Sequence, residues 1–513
     1  MRRVLLFIAT VLSCMQGRAE WNTDFSKNMQ VTPSDLSYFD RSLTTNKNGM
    51  TYVYIICPST TGQAMRLQVI DKDGNRTLGR GGQVISNERN KTWVTWNQYL
   101  ELDNDGNAFV SVQDMRNSES SISYTIYKYS EKGERLWEGT TLNDGIGSAM
   151  GTGLSMMSTT DGGLLCAYSY TDTEKSRDFI HVEKLDKDGK QVWKKEVFET
   201  ERVANPYPFL VKTEGGNAML LWVDKGNMDA NIIDPETGEL EKDAPTVVYT
   251  NGYASEKVME VIKVTPGPDN GALLSVVDGN KQGRLVYVKS DLTVGLDGKA
   301  TGVLVDTSGK TRFASTNPAV AYSKNDNTLA CAYKIFDYDN TDNQAVYFQK
   351  IGMDGKMKWD GGKEYVGLQT DNQYSYFNLR NIGNDAFALF YLTYDNATYT
   401  VKGQMATFDN DGNTTGPATD FTTSASVKTE LWVSEQQEDN RFLTAWDSKS
   451  SSGYTLYMQD IEAKTPAGIT SPLIGTTLSA PLFYSVDGTI RNTVEKGLNI
   501  VRSSDGKVIK IAK

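Results

Sequence analysis

The stretch Asp103-Asn104-Asp105-Gly106-Asn107-Ala108-Phe109-Val110-Ser111-Val112 places a tight polar turn directly before an apolar segment. Turns that contain Asp-Gly or Asn-Gly suit hairpins, because these residues adopt positive φ at low cost. The apolar segment is nearly continuous rather than alternating, as is typical of a strand covered on both faces. The stretch therefore predicts a buried strand that begins at a hairpin turn.

The same unit occurs eight times, and the last turn residue before each apolar run marks its position. These anchor residues are Gly49, Gly106, Gly162, Gly216, Asn270, Asn327, Asn384 and Asn440. Successive anchors are 57, 56, 54, 54, 57, 57 and 56 residues apart. A fixed period of this length, built from short strands, is typical of β-propeller blades.

A second polar turn follows most anchors by 22–28 residues, as at 70–75 and 185–190, and its fifth copy, near Asp291, is degenerate. Several of these turns lead into a tryptophan: Trp137, Trp193 and Trp359. Each repeat thus contains strand A, a first turn, strand B, a loop, strand C, a second turn and strand D. Four strands in about 56 residues make one blade. The sequence predicts an all-β fold, an eight-bladed β-propeller with a small C-terminal β tail.

The first 19 residues are typical of a secretory signal peptide. Arg2 and Arg3 precede an apolar run that ends near Met15, and Gly17-Arg18-Ala19 is a suitable cleavage site. The apolar run is too short to span a bilayer. Cleavage in front of Cys14, as in a lipoprotein, is the alternative, but Leu12 is atypical for that site. We favour ordinary cleavage after Ala19.

The propeller domain is expected to cover residues 20–463. The eighth repeat lacks a strand D, because its strand C runs directly into a Pro-, Gly-, Ser- and Thr-rich linker at 464–480. Trp21 precedes its anchor by 28 residues, a spacing close to that of the strand-D tryptophans. We therefore expect residues 20–33 to supply the closing strand of the last blade, which leaves no free sheet edge.

Residues 481–513 break the 56-residue period and predict three short strands. Their Tyr484-Ser485-Val486-Asp487-Gly488 and Gly497-Leu498-Asn499-Ile500-Val501 motifs and Lys-rich final strand resemble the C-terminal sorting tails of the type IX secretion family. This resemblance implies export to the cell surface. A tail that merely ends a secreted protein is the alternative.

The repeats also resemble those of secreted bacterial propellers with Asp-Gly-Gly-x-φ-φ-x-Ala-Trp and φ-Asp-x-x-Gly-x-x-φ-Trp motifs. The best copies are at 161–168 and 185–193. This resemblance covers most of residues 34–463 and implies the fold. It implies no activity, because propellers include both enzymes and binding proteins.

Composition narrows the classes of partner. A net charge of −11 disfavours a surface that binds nucleic acid or an anionic membrane. We also expect no transmembrane segment, and we expect the protein to be a monomer. Cys166 and Cys331 occupy equivalent strand positions three blades apart, beyond disulfide reach. Together with Cys57 they are expected to be buried, unpaired thiols.

Catalytic and metal-binding motifs are scarce in the sequence. His181 is the only histidine, which excludes multi-histidine metal sites and leaves one candidate for a histidine-dependent catalytic centre. Its place in an apolar strand favours a structural role. The Asp-x-Asp-Gly turns allow a calcium hypothesis, but they lack the further ligands of a complete calcium loop, and hairpin chemistry explains them. We therefore expect no cofactor.

Candidate binding residues are the aromatic side chains that precede strand A in several repeats. They either fill space between blades or form a stacking surface on one rim. The favoured function is non-catalytic binding of an extracellular glycan or protein. The alternative is a carbohydrate-active hydrolase or lyase, which requires several acids and an Arg or Tyr clustered at the mouth of the channel. The candidate residues are Trp93, Trp96, Tyr207, Tyr374 and Tyr376.

Overall fold

The structure is a computed structural model. It describes residues 21–59, 62–86, 99–114, 123–142, 153–172, 174–201, 207–224, 226–250, 261–307, 312–314, 317–337, 344–365, 376–383, 385–395, 400–437, 440–450, 453–463, 482–485, 490–491, 498–502 and 508–512. The chain divides into two compact units, Met1–Lys464 and Thr465–Lys513.

The first unit is a ring of antiparallel blades, each with strands A to D in order from the inner to the outer edge. Blade 1 contains β2 (Asp40–Thr45), β3 (Thr51–Ser59), β4 (Gly62–Ile70) and β5 (Gln83–Ser86). Blade 2 contains β6 (Leu100–Leu102), β7 (Ala108–Asp114), β8 (Ser123–Tyr129) and β9 (Thr140–Thr141). Blade 3 contains β10 (Leu154–Ser158), β11 (Leu164–Asp172), β12 (Arg177–Leu185) and β13 (Gln191–Glu201). Blade 4 contains β14 (Pro208–Lys212), β15 (Ala218–Asp224), β16 (Asn227–Ile233) and β17 (Thr246–Thr250).

The second half of the ring repeats this arrangement. Blade 5 contains β18 (Val261–Pro266), β19 (Ala272–Val277), β20 (Gly283–Val288) and β21 (Val303–Leu304). Blade 6 contains β22 (Arg312–Ala314), β23 (Ala319–Ser323), β24 (Thr328–Asp337), β25 (Gln344–Gly352) and β26 (Lys363–Tyr365). Blade 7 contains β27 (Phe377–Gly383), β28 (Ala386–Asp395), β29 (Thr400–Phe408) and β30 (Thr419–Thr422). Blade 8 contains β31 (Lys428–Val433), β32 (Arg441–Ser450), β33 (Gly453–Glu462) and, as its fourth strand, β1 (Met29–Gln30).

The predicted eight-bladed propeller is confirmed, and the backbone at the anchors explains its sequence signature. The described anchors all have positive φ: 76° to 91° at the four glycines and 53° to 57° at Asn270, Asn327 and Asn440. Glycine adopts this conformation freely, and asparagine is among the few other residues that tolerate it. At the described anchors the first turn therefore favours these two residue types. Asn384 lies outside the described residues.

Because strands A to D of each blade run antiparallel to their neighbours, the ring has two distinct faces. The A–B and C–D turns lie on one of them, which we call the turn face, and the B–C and D–A connections lie on the other, the loop face. The hydrophobic core lies between neighbouring blades: Tyr52 and Tyr54 of blade 1, for example, pack in one cluster with Val110 and Tyr129 of blade 2. Each sheet is thus buried on both faces, as the continuous apolar runs predict.

Tryptophans connect one blade to the next on the turn face. Trp137 of blade 2 donates its indole N–H to the Lys187 carbonyl of blade 3 at 2.8 Å, and its ring covers Gly189. Trp193 of blade 3 likewise donates to the Pro235 carbonyl of blade 4 at 3.0 Å. We call this contact the tryptophan latch.

The N-terminal segment closes the ring. Strand β1 pairs with β33, with Met29 opposite Met458 and Gln30 opposite Tyr457. The next residue, Val31, donates its N–H to the Leu456 carbonyl at 2.8 Å. This pairing lies within the segment 20–33 and covers the outer edge of blade 8.

Three details complete the description. The inner strand of blade 6 is split into two segments, β22 and β23, which both pair with β24. The three cysteines Cys57, Cys166 and Cys331 are buried and unpaired, as expected. In the described part of the chain, no helix has the length and apolar character needed to cross a membrane.

The described part of the second unit has four strands, where the sequence predicts three. They are β34 (Leu482–Ser485), β35 (Ile490–Arg491), β36 (Leu498–Arg502) and β37 (Val508–Ala512), in the order β35-β34-β36-β37. The additional strand is the two-residue β35, which is too short to show a strand pattern in the sequence.

Candidate functional site

The structure places two of the five candidate aromatic residues. Tyr207 and Tyr376 each precede an inner strand on the loop face, in blades 4 and 7. Because these blades are three positions apart in the ring, the two rings do not form one surface. Trp93, Trp96 and Tyr374 lie outside the described residues.

Tyr207 packs between blades. Its ring lies against Gly153, where a Cβ would come within 2.5 Å of the Tyr207 Cδ1. Close by, the Tyr99 hydroxyl accepts the Leu154 N–H at 2.9 Å. Tyr99 and Tyr207, which both precede inner strands, thus contact a neighbouring blade.

Tyr376 makes a different contact. Its hydroxyl donates to Oε1 of Glu430 at 2.9 Å, which links blade 7 to blade 8. Glu430 is exposed and has φ of 53°, and it lies where the register between β31 and β32 shifts between Thr429 and Trp432. Bulges and left-handed non-glycine residues are enriched at functional sites. These features make Glu430 a candidate that sequence reasoning missed.

A buried ion pair lies beside Glu430. Nε of Arg41 in blade 1 contacts Oδ1 of Asp447 in blade 8, and these side chains are only 8% and 6% exposed. Arg41 also donates to the Glu430 carbonyl oxygen. The Tyr38 hydroxyl donates to the same Asp447 oxygen at 2.5 Å. We call Tyr38, Arg41, Tyr376, Glu430 and Asp447 the seam cluster, because they join blades 7, 8 and 1.

Burial sets the protonation of this cluster. It raises the pKa of Asp447, while the neighbouring Arg41 opposes that rise. Burial and the hydrogen bond to Glu430 raise the pKa of Tyr376, so its hydroxyl stays protonated and acts as a donor. Inside the protein, the Asp447 carboxylate therefore accepts hydrogen bonds from both Arg41 and Tyr38. Glu430 is the member of the cluster that faces solvent.

Apolar side chains extend this exposed surface. Phe39, just before β2, is 49% exposed, and Val427, just before β31, is 51% exposed. With Tyr376 and Glu430 they form what we call the loop-face patch, on blades 7, 8 and 1. Exposed apolar and aromatic side chains on the same face as a carboxylate suit a sugar ring or a mixed apolar and polar peptide.

Two cavities open on the turn face. The smaller, about 420 Å³, lies between blades 5 and 6 near Tyr287 and Met353. The larger, about 750 Å³, lies between blades 8 and 1, and we call it the seam cavity. Its lining residues are Thr45, Asn46, Lys47, Asn48, Gly49, Lys72, Glu435, Gln436, Gln437, Arg441, Leu443 and Asp460.

His181 lies in blade 3, away from the seam cluster. Burial, and then the charge of Lys194, lower its pKa to about 4. Its ring stacks on Tyr170 with the ring centroids 5.3 Å apart. The imidazole is therefore neutral and enclosed at physiological pH, in agreement with a structural role.

The Asp-Gly turns use their carboxylates locally. Oδ1 of Asp71 accepts the backbone N–H groups of Asp73 and Asn75 at 3.0 and 2.7 Å. Asp186 and Asp409 do the same in blades 3 and 7. These hydrogen bonds account for the recurring Asp, as hairpin chemistry predicts. Across the described ranges, no three His, Cys, Asp or Glu side chains are placed to share a metal ion.

Neither family models nor curated proteins match this chain. Solved structures do resemble it. A polysaccharide lyase, Uly1, aligns with a TM-score of 0.46 at 9% identity over 76% of this chain and 95% of that one. Prolyl oligopeptidase B from Galerina marginata aligns with a TM-score of 0.44 at 12% identity, over 81% of this chain and 56% of that one. An α-L-arabinanase from Penicillium chrysogenum aligns with a TM-score of 0.33 at 12% identity, over 73% of this chain and 95% of that one. Similarity at this level says nothing about the activity of this chain.

Proposed function

We propose that this protein is an exported binding propeller, secreted or held at the cell surface, that binds an extracellular glycan or protein at its loop face without converting it. The burial of the Arg41–Asp447 ion pair is the main support for this proposal. A catalytic mouth needs accessible acids with an Arg or Tyr. In the seam cluster Asp447 and Arg41 are more than nine-tenths buried and bonded to each other, which leaves Glu430 as the accessible acid of this cluster.

The exposed remainder of this region suits binding. Glu430 presents a carboxylate that Tyr376 orients, and Phe39 adds exposed aromatic surface. Ligand sites combine apolar contact area with a few placed polar groups. The loop-face patch has this composition.

The positions of the chain ends also favour the loop face. Trp21, the first described residue, contacts the second turn of blade 1, and the Ala463 N–H bonds to the Asn440 carbonyl in the first turn of blade 8. Both ends of the ring therefore lie on the turn face. An attachment through either end starts from the face opposite the patch.

Binding of the mature chain to a broad glycan array, with and without calcium, tests the proposal. We expect saturable binding to one glycan class, lost in Tyr376→Ala and retained in Tyr207→Phe, which alters a packing residue of blade 4. Binding that survives Tyr376→Ala would remove the loop-face patch from the proposal. No binding to any glycan would favour a protein ligand.

A second candidate, a carbohydrate-active hydrolase or lyase, is favoured by the Tyr376–Glu430 hydrogen bond. A tyrosine hydroxyl held by an exposed carboxylate is suited to proton transfer. Incubation of the bound glycan with the protein, followed by measurement of new reducing ends, distinguishes the two functions. Cleavage that Tyr376→Phe abolishes would establish the enzyme and refute non-catalytic binding.

A further inference from the structure

We propose that the seam cavity, on the opposite face from the loop-face patch, is a second ligand site that binds a neutral oligosaccharide. Its volume of about 750 Å³ lies within the range of about 300–1,000 Å³ common for small-molecule sites. This site is independent of the loop-face proposal, because it uses different residues on the other face of the ring.

An unpaired acceptor in the cavity lining points to a ligand. Asp460, near the end of β33, has a side chain that is only 7% exposed. Its Oδ2 accepts Nε of Arg441 at 2.7 Å, but its buried Oδ1 has no hydrogen-bond partner among the described residues. A buried acceptor without a partner is costly, so a rotation of the Asp460 side chain that lets a ligand hydroxyl donate to this carboxylate stabilises the bound state.

Donors also line the cavity. Lys72 is exposed and has no acidic partner among the described residues, and its backbone is fixed because its carbonyl accepts the Trp21 indole at 2.9 Å. Arg441, 45% exposed on its side chain, adds guanidinium N–H groups. The cavity thus has both a hydrogen-bond acceptor and donors in its lining. This combination suits a ligand with neighbouring hydroxyl groups, because each hydroxyl can both donate and accept.

The rest of the lining is occupied and rigid. Lys47 donates from Nζ to the Asn104 carbonyl at 2.6 Å, and Asn48 donates to Glu131 at 2.6 Å. Gln437 donates to the Glu435 carbonyl at 2.9 Å. The first two bonds join blade 1 to blade 2, and all three hold side chains of the lining in place before a ligand arrives.

The charges of the lining favour an uncharged ligand. The lining holds three cations, Lys47, Lys72 and Arg441, and two acids, Glu435 and Asp460, so its charges nearly balance and select strongly for neither an anion nor a cation. Leu443 is the apolar residue of the lining, and it is only 4% exposed, so an apolar ligand finds little to contact. A neutral, hydroxyl-rich molecule fits this mixture of groups.

Titration of the full mature chain with maltotriose, cellotriose, xylotriose and mannotriose, followed by saturation-transfer NMR and calorimetry, tests this proposal. Trigalacturonate serves as the anionic comparison. Losing a hydrogen bond to a charged group weakens binding about 10- to 100-fold. We expect that weakening in Asp460→Asn, and also in Lys72→Ala, which changes an exposed side chain and leaves folding intact.

Glu462→Gln is the matched control, because it removes the same charge at an exposed position two residues away. It should bind as the unaltered protein does, and so should Tyr376→Ala on the other face. Neutral trisaccharides that fail to saturate, preference for trigalacturonate, or normal binding by both Asp460→Asn and Lys72→Ala would each overturn the proposal. Melting temperatures of all variants separate loss of binding from loss of fold.

Discussion

The Trp21 indole N–H donates to the carbonyl oxygen of Lys72 at 2.9 Å. Its ring also covers Gly74, where an added Cβ would lie 3.2 Å from the Trp21 Cδ2. This is the tryptophan latch of blades 2 and 3, here made by a residue outside the repeats. The N-terminal segment therefore supplies blade 8 with both a strand and a latch onto blade 1.

Deleting residues 21–31 should lower the free energy of unfolding by at least about 3 kcal/mol, because it removes the latch, the pairing of β1 and the fully buried Val31. Trp21→Phe, which loses the indole N–H and part of the ring surface, should cost at least about 1 kcal/mol. Denaturant unfolding measures both changes.

Lys27→Ala is the control for this segment, because the Lys27–Asp24 ion pair is exposed. Exposed ion pairs contribute little to stability, so this variant should unfold almost as the unaltered protein does. Equal stability of the deleted and full-length chains would show that the segment is not needed for closure.

Gly189→Ala should be more destabilising than Gly298→Ala. Both glycines have positive φ, 77° and 73°, so each substitution incurs the same backbone strain of about 1 kcal/mol. At Gly189 the new Cβ would also lie 2.8 Å from the Trp137 ring, whereas at Gly298 nothing lies within 4 Å. The latch clash should add about 1–3 kcal/mol. If both variants lost the same free energy of unfolding, the Trp137 ring would have to move away from the new Cβ at little cost.

Arg41→Met should cost about 3–5 kcal/mol of unfolding free energy, because it leaves the buried Asp447 carboxylate without its cation. The double variant Arg41→Met/Asp447→Asn should recover part of that loss, since the uncompensated charge is gone. Arg177→Met, which breaks the half-exposed pair with Glu199, should cost far less than Arg41→Met. A double variant less stable than Arg41→Met would refute this account.

His181 should make the protein less stable in mild acid. Its pKa falls from 6.5 in the unfolded chain to about 4 in the folded one, mainly through burial. The folded protein therefore binds this proton less tightly, so the stability that the neutral imidazole contributes is complete above pH 6.5 and is lost as the pH falls towards 4.

The loss attributable to His181 should reach about 3 kcal/mol, measured as the difference in pH dependence between the unaltered protein and His181→Phe. Because the chain has one histidine, its imidazole also gives an isolated NMR titration. A titration midpoint near 6.5 would contradict the burial of this ring.

The blades could be predicted because the first turn imposes a local requirement on the sequence. Positive φ at Gly106 or Asn270 restricts the residue type, and the following strand is buried on both faces, so both signals repeat in every blade. The split inner strand of blade 6 left no such signal. Its extra segment, Arg312–Ala314, has three residues, too few for a period to appear.

The site was less predictable, because its residues come from three blades that meet only when the ring closes. Sequence reasoning selected Tyr376 as an aromatic residue before an inner strand, and its partner Glu430 is marked only by a bulge that the sequence does not reveal. Asp447 did carry a signal, a charge in the apolar run that contains Ala445 and Trp446. A charged residue in a buried strand implies a partner but does not identify it.

The pairing of Met29 with Met458 joins residues 429 positions apart along the chain. The first segment of the ring to be synthesised is thus the last to find its partner, because β33 does not exist until the eighth repeat has been made. Contacts between such distant positions form slowly. Closure is therefore a late kinetic step, and until it occurs the edge of β33 is open to strands of other chains.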